Sequence, residues 1–574
     1  MIQIPRKASR IMLCSERRRG RIEARFCRDA LTGGDGQPVQ AHTHCNWVFG
    51  GDGLDSCPMS RVDLRPTPSA RTETASVQPD PAVPSTPFIS KSKYLWGLQC
   101  HKLLWHAYNA KHLIPERDAH TQAIFNQGHE VGQLAKQLFP GGIEVGDGID
   151  DFDAILAAST QAVKHRRPLY EAAFAFSGGY ARADILNPVT GDTWDLIEVK
   201  STTSVKDVHL HDLAFQAFVC TGAGLKTRRC FLAHINPDFV RHGQVDPKEF
   251  FALEDVTAQV SELCRSIEGK LDEMFSRIRL PVHPEVQIGR HCDDPYACPL
   301  HDLCWGHLPE VNVMDLYRGK VKGFKLLGTG ITRLGDIPDD FRLTASQSIQ
   351  RMAARSGQPQ INKAALAKFL SRIKYPAFFL DFETFGSAIP LFDGLRPYQQ
   401  VPFQYSLHIA RSEAEEPEHH SFLADGKSDP RPEFIKGLRA HLEDEGSIVA
   451  YNAPFELGRL KECCELLPDM EPWLARTRKR FVDLLIPFRS FSYYHPAQNG
   501  SASMKSVLPA VTGCGYDHLA IQEGGTASLE FLRVHFTDVS DDERQRVRRQ
   551  LEDYCGQDTK GMIWILSALK GLVG

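Results

Sequence analysis

Tyr375-Pro-Ala-Phe-Phe-Leu-Asp-Phe-Glu-Thr384 is an apolar run that ends in two carboxylates two positions apart. Side chains on a strand alternate with period two, so Asp381 and Glu383 share one face of a buried strand. A second apolar run, Ser447-Ile-Val-Ala-Tyr-Asn-Ala-Pro-Phe-Glu456, reads as a strand that enters a helix carrying Glu456. Leu551 to Leu569 has the apolar face of a helix, and Tyr554 and Asp558 lie one above the other on it at i and i+4. Four carboxylates around two cations about 3.5–4 Å apart make the arrangement for in-line phosphoryl transfer. The spacing therefore predicts a site for Mg²⁺ or Mn²⁺ made of Asp381, Glu383, Glu456 and Asp558, with Tyr554 orienting the attacking water.

These motifs resemble those of the DnaQ-like DEDD exonucleases, in the subtype with Tyr in its last motif. Asp381-x-Glu383 matches the first motif and Tyr554-x3-Asp558 the third. The second reads Asn452-x2-Phe455-Glu456 where the family has Asp, a carboxylate one methylene longer; Asp483 reads either as its substitute or, the preferred reading, in a supporting role. The resemblance implies an RNase H-like mixed sheet over residues 375–574. The alternative is a degenerate scaffold that binds nucleic acid without cutting it.

Working upstream, Ala181–Leu186 and Thr193–Val199 read as strands, with Asp184 on the first and Glu198 and Lys200 on the second. Period two places Glu198 and Lys200 on one face, and a hairpin brings Asp184 alongside. The two carboxylates would hold a divalent cation, while Lys200 would position water and stabilise charge on a phosphate. The competing reading is a surface salt bridge between Glu198 and Lys200; the apolar run Leu196-Ile-Glu-Val199 argues against it. A helical segment, Leu213–Val219, follows with Gln216. This stretch resembles the RecB-like nucleases of the PD-(D/E)xK superfamily. That resemblance implies a restriction-endonuclease-like domain, a catalytic Gln216 and a metal-binding His129. Cys220 stands where the family usually has Tyr.

Cys292, Cys298 and Cys304 are separated by two five-residue gaps, and three thiolates in thirteen residues make a metal site plausible. Cys100 is the best fourth ligand. One Cys before the core and three after it resembles the iron–sulfur RecB-like nucleases, the CRISPR-associated exonucleases among them. That implies a structural 4Fe–4S cluster stapling the two ends of the domain. Zinc suits four thiolates as well, and unliganded thiols remain a third reading.

Residues 1–86 read as a disordered extension or as a stretch upstream of the true start, with six prolines between Pro66 and Pro87. His42, His44, Cys45 and Cys57 within it fit no familiar zinc finger. The nuclease domain then spans 87–308 and a connector 309–374. In the connector, Leu327-Gly-Thr-Gly-Ile331 reads either as an ordinary Gly loop or as part of a short helix–hairpin–helix offering backbone N–H groups to phosphate. The resemblances cover about 88–574, and the combination is similar to a bacterial family joining a RecB-like to an RNase H-like domain.

The net charge of −4 excludes a globally basic nucleic-acid binder. No run of about 18 apolar residues suggests a membrane span, and the first 30 residues lack a signal-peptide core. Fifteen cysteines without such a signal predict thiols in a reducing cytoplasm. No Walker A motif is found, so an ATP-driven helicase activity is not expected. Together these features predict a metal-dependent nuclease, a DNA exonuclease with two catalytic domains. The alternatives are a nucleic-acid-binding protein with one or both domains inactive and an RNA-processing exonuclease. The expected partner is nucleic acid, DNA before RNA, with a helicase or other repair or defence protein alongside.

Overall fold

The computed structural model describes residues 9–18, 21–30, 88–146, 148–149 and 151–574. The chain divides into two compact units, residues 1–80 and 81–574. In the first, strand Ser9–Arg18 pairs antiparallel with Arg21–Ala30. The expectation of a disordered extension falls, for residues 31–86, outside the described residues, as do His42, His44, Cys45 and Cys57.

The second unit is α/β and contains two mixed sheets. The first sheet has seven strands: β1 Ile89–Ser90, β2 Ile143–Glu144, β3 Leu169–Phe176, β4 Gly179–Pro188, β5 Thr193–Lys200, β6 Lys226–Ile235 and β7 Phe251–Asp255. Strands β2 to β7 lie in sequence order, with β1 added against β4. The β3–β4, β4–β5 and β6–β7 pairs are antiparallel, whereas β5 runs parallel to β6. A parallel pair needs a crossover, and helix α4 (Asp207–Gly222) supplies it. Helices α1 (Lys91–Gln99) and α2 (His101–Asn109) precede the sheet, and α3 (Ala119–Lys136) packs against β5.

Ser90–Tyr108 has the apolar periodicity of a single helix, with Leu95, Leu98, Leu103 and Leu104 on it, but the helix is broken at Cys100, whose backbone is extended. Gly97, three positions before it, weakens the helix locally. Gln99 Nε2 donates to the carbonyls of His291 and Tyr296 at 2.7 Å each, so contacts with the cysteine loop override the helical period.

The second sheet is built from β8 Ala377–Phe385, β9 Val401–Ala410, β10 Glu418–Leu423, β11 Ser447–Ala450 and β12 Phe481–Asp483, in the order β10-β9-β8-β11-β12. Strand β8 is central, antiparallel to β9 and parallel to β11. It is buried on both faces, which explains a continuous apolar run where a half-buried strand would alternate. Phe378, Leu380 and Phe382 enter one core with Phe434 and Leu460, while Ala377, Phe379 and Phe385 enter another. Burying each such phenylalanine contributes about 1.5–3 kcal/mol. Helices α5 (Ala453–Leu466), α6 (Gly524–Phe536) and α7 (Asp541–Val573) complete this half.

In the connector, helix Lys320–Leu327 ends in the Gly328–Gly330 turn and leads to a 3₁₀ turn at Leu334–Asp336. The N–H groups of Gly328, Thr329, Gly330 and Ile331 all donate to carbonyls of Phe324, Leu326 or Leu327. They are therefore not free to receive a phosphate. The loop between β8 and β9 crosses to the first sheet: Ala388 and Ile389 join its Ile197 and Phe250 core, and Arg241 donates to the carbonyls of Pro390 and Leu391. Among the described residues no helix is long and apolar enough to cross a membrane.

Candidate active sites

Leu196 and Trp194 of β5 face the core covered by α4, so period two turns Glu198 and Lys200 toward the same helix. The β4–β5 ladder pairs Ile185 with Ile197, which brings Asp184 level with Glu198, and the Val199 N–H donates to Asp184 Oδ2 at 2.9 Å. Glu198 is 1% exposed and accepts from Lys200 Nζ at 2.7 Å and Gln216 Nε2 at 2.7 Å. With Glu198 buried and Lys200 half-buried, the pair is not a surface salt bridge.

Two further residues enter this site. Asp212 accepts from Lys200 at 2.5 Å and from Gln216 at 3.1 Å. Lys91, the first residue of α1, donates to Asp184 at 3.3 Å and to Glu198 at 3.0 Å. Burial opposes the charge on both lysines, but the surrounding carboxylates outweigh it and raise both pKa values. Asp212 was legible in principle, because it sits at i−4 to Gln216 on one helix face. Lys91 had no local signal, lying 93 positions before Asp184. His129 is exposed on α3 with its ring against Gln133, and no hydrogen bond or ion pair joins it to the carboxylates. Gly128 beside it faces Ser201, at the end of β5. Cys220 is fully buried on α4.

In the second half, Asp381 and Glu383 have the parity of Phe379, on the face of β8 covered by α7. A bulge between Glu383 and Thr384 interrupts the ladder there; bulges of this kind re-aim side chains beside functional sites. Helix α7 seats on β9 through Gln404 Nε2 to the Leu551 carbonyl at 2.9 Å and Ser406 Oγ to Thr559 Oγ1 at 2.7 Å. That seating turns Tyr554, Cys555 and Asp558 toward β8. Ligand atoms of Asp381, Glu383 and Cys555 lie within 4.8 Å of one another, the only such group of three or more among the described residues. Gly524, at the start of α6, allows a close approach: a Cβ there would stand 3.5 Å from Glu383 Oε2 and 3.9 Å from Tyr554 Oη.

Asn452, in the left-handed region at φ 80°, begins α5 and places Glu456 on its first turn. Glu456 is 2% exposed, and its Oε2 has no hydrogen-bond partner. Asp483 instead accepts from the backbone N–H groups of Asn452 and Leu485, each at 3.0 Å, and so holds the start of α5. Tyr516, missed from sequence, donates its hydroxyl to Asp558 Oδ1. Lys505 and Tyr451 join Asp381, Tyr554 and Asp558 around a cavity of about 180 Å³.

Electrostatics mark this cluster as short of positive charge. Burial first, then repulsion from Asp558, Glu383 and Glu456, holds the Asp381 carboxyl well above the usual range. Burial and Asp558 push Glu383 up to about 8, burial pushes Glu456 to about 8, and burial pushes Asp558 to about 6 despite the Tyr516 hydrogen bond. A buried orphan carboxylate oxygen and three clustered ligand atoms fit a divalent cation.

Cys100, Cys292, Cys298 and Cys304 line one small enclosed cavity, together with Val286, Ile288 and Leu300, and all four are free thiols. No three of these sulfurs lie within 4.8 Å of one another. Tetrahedral zinc with Zn–S bonds of about 2.3 Å needs sulfurs roughly 3.8 Å apart. The chemistry of the donor set fits a thiolate-ligated centre.

Residues 378–503 match the model of a family described as a domain of unknown function, DUF2779. That span includes Asp381, Glu383 and Glu456 but not Tyr554 or Asp558. The chain is 24% identical over 279 residues to uncharacterized protein UU173 of Ureaplasma parvum serovar 3, covering 45% of this chain and 40% of that protein. It is 24% identical over 223 residues to uncharacterized protein MG366 of Mycoplasma genitalium, covering 35% and 33%. The chain thus spans well under half the length of these relatives. The crystal structure of SSO0001 aligns with 40% of this chain and 90% of its own at 13% identity and a TM-score of 0.22, a likeness too low to bear on fold or function.

Proposed function

We propose that this chain is a metal-dependent nuclease that hydrolyses phosphodiester bonds, acting on DNA from an end, with a carboxylate site in each α/β half. One observation carries the reading: β8 and α7 bring Asp381, Glu383, Tyr554 and Asp558 together, with the unpartnered Glu456 nearby. Divalent cations held by these carboxylates would supply an activated water and neutralise charge on the phosphoryl group. Lys505 lines the cavity with its ammonium 5.8 Å from the centre of the Tyr554 ring, where it can meet a phosphate. Tyr554, beside Glu383, can orient the attacking water, and Tyr516 holds the Asp558 carboxylate in place.

The order of the second sheet supports an RNase H-like reading: its first strand is central, antiparallel on one side and parallel on the other. The Asp184–Glu198–Lys200–Gln216 network at a strand end supports a PD-(D/E)xK reading of the first half. Four free thiols around one cavity support a thiolate-ligated centre, which we read as a 4Fe–4S staple. The free thiols support a reducing, cytoplasmic setting.

A second reading, in which the first half binds nucleic acid without cutting, is favoured by Lys91, whose ammonium bridges both carboxylates there. End-labelled single- and double-stranded DNA and RNA should be digested with Mg²⁺ or Mn²⁺ by the wild type, Lys200→Ala and Asp558→Asn. Each single variant should lose one product pattern and keep the other. A Lys200→Ala variant with unchanged products would make the first half a binding module. Unchanged products from Asp558→Asn would refute the exonuclease assignment, and degradation of RNA alone would reassign the substrate.

A further inference from the structure

We infer that Cys555 is a sulfur ligand of the C-terminal metal site and biases that site toward soft divalent cations over Mg²⁺. This rests on the reading of the C-terminal carboxylates as a metal site. Cys555 is 0% exposed, and its Sγ stands 3.8 Å from Asp381 Oδ2, within the 4.8 Å group formed with Glu383. It precedes Asp558 by three positions on α7, so both side chains share the face turned to β8. A second, independent feature points to a cation: Glu456 is buried with Oε2 lacking any partner, and its charge acts on Asp381.

A carboxylate-only site suits Mg²⁺ and Mn²⁺, whereas a thiolate selects softer ions such as Zn²⁺ and Cd²⁺. When such an ion binds, the Sγ–H bond breaks, its proton passes to solvent, and the sulfur lone pair forms the new bond to the ion; no oxidation is involved. Mg²⁺ gains nothing from sulfur and would be held by the oxygens alone. The contrasting role for Cys555 is that of a small packing residue, and the two roles differ in what they predict for hard and soft ions.

The full-length chain, purified without oxygen so that its cysteine cluster stays intact, would be titrated with Cd²⁺ and separately with Mg²⁺ in a calorimeter. The ultraviolet sulfur-to-cadmium charge-transfer band would be read alongside. Cys555→Ser should weaken Cd²⁺ binding by at least about tenfold and remove one component of the band, leaving Mg²⁺ affinity unchanged; Cys555→Ala should behave alike. Unchanged Cd²⁺ affinity and band in both variants would overturn the assignment. Loss of Cd²⁺ and Mg²⁺ together in both would make Cys555 a packing residue and overturn it equally. Asp381→Asn tests the underlying reading by itself: it should remove one binding event for each ion and leave those of the first half, and if it leaves every event unchanged, the C-terminal carboxylates are not a metal site.

Discussion

Lys91 donates to Asp184 and Glu198 from the space between two carboxylates that would otherwise repel each other. Replacing it with Met leaves both acids without that partner, an effect on the order of 1–3 kcal/mol for a partly buried group. Lys91→Met should therefore melt earlier without metal and recover more than wild type on adding Mg²⁺, because a competing cation has gone. Scanning fluorimetry at several Mg²⁺ concentrations measures this; equal Mg²⁺ responses would show that Lys91 does not compete. At the other site, Asp558→Asn weakens a ligand, whereas Tyr554→Phe leaves the carboxylates in place. Loss of an electrostatic element of this kind costs on the order of a hundredfold or more in rate. Tyr554→Phe should cost distinctly less in single-turnover cleavage, and the reverse ranking would take the metal role away from Asp558.

At the scale of elements, the break between α1 and α2 is tied to the loop that carries Cys292, Cys298 and Cys304. Cys100 lies at the break, and Gln99 reaches across to the loop carbonyls. A centre held by the four thiolates would cross-link two segments 192 positions apart, the separation of Gln99 from His291. Protein purified without oxygen should be brown and contain iron and sulfide. Cys298→Ser should bleach it and expose the first sheet to proteolysis while the second sheet stays folded. Colourless protein with stoichiometric zinc would contradict the cluster. Helix α7 organises the second half: its seating on β9 delivers Tyr554, Cys555 and Asp558 to one place.

For the whole molecule, the acidic cluster sets the response to pH. Glu383 and Glu456 titrate at about 8 and Asp558 at about 6, all raised by burial. Unfolded carboxyls titrate near 4, so the folded state holds protons that the unfolded chain releases. This contribution to stability is fully present below about pH 4 and is lost progressively as pH rises toward 8. Metal-free protein should accordingly melt at lower temperature at pH 8 than at pH 6, and Mn²⁺ should raise the melting temperature more at pH 8. Equal Mn²⁺ effects at both pH values would mean that the acids are not the binding site. The two halves also share the core around Ala388, Ile389 and Phe250, with Tyr398 bonded to the Ser201 carbonyl, so the loop leaving Glu383 ends beside Lys200.

Strand and helix patterns of the sequence by themselves determined the elements that carry Asp184, Glu198, Lys200, Gln216, Asp381, Glu383, Tyr554 and Asp558. Period two and period 3.6 are local properties, and they state which side chains share a face. The free energy that sites depend on comes from groups distant in the chain, and no local period encodes those. Only the tertiary structure decided that Lys91 would stand between Asp184 and Glu198, that Tyr516 would hold Asp558, and that Cys555 would enter the carboxylate cluster. It also left His129 at the surface beside Gln133 and split the Ser90–Tyr108 helix at Cys100. At Lys91, Tyr516, Cys555 and Cys100 a contact across the fold outweighed, or supplied, what the neighbouring residues could not specify.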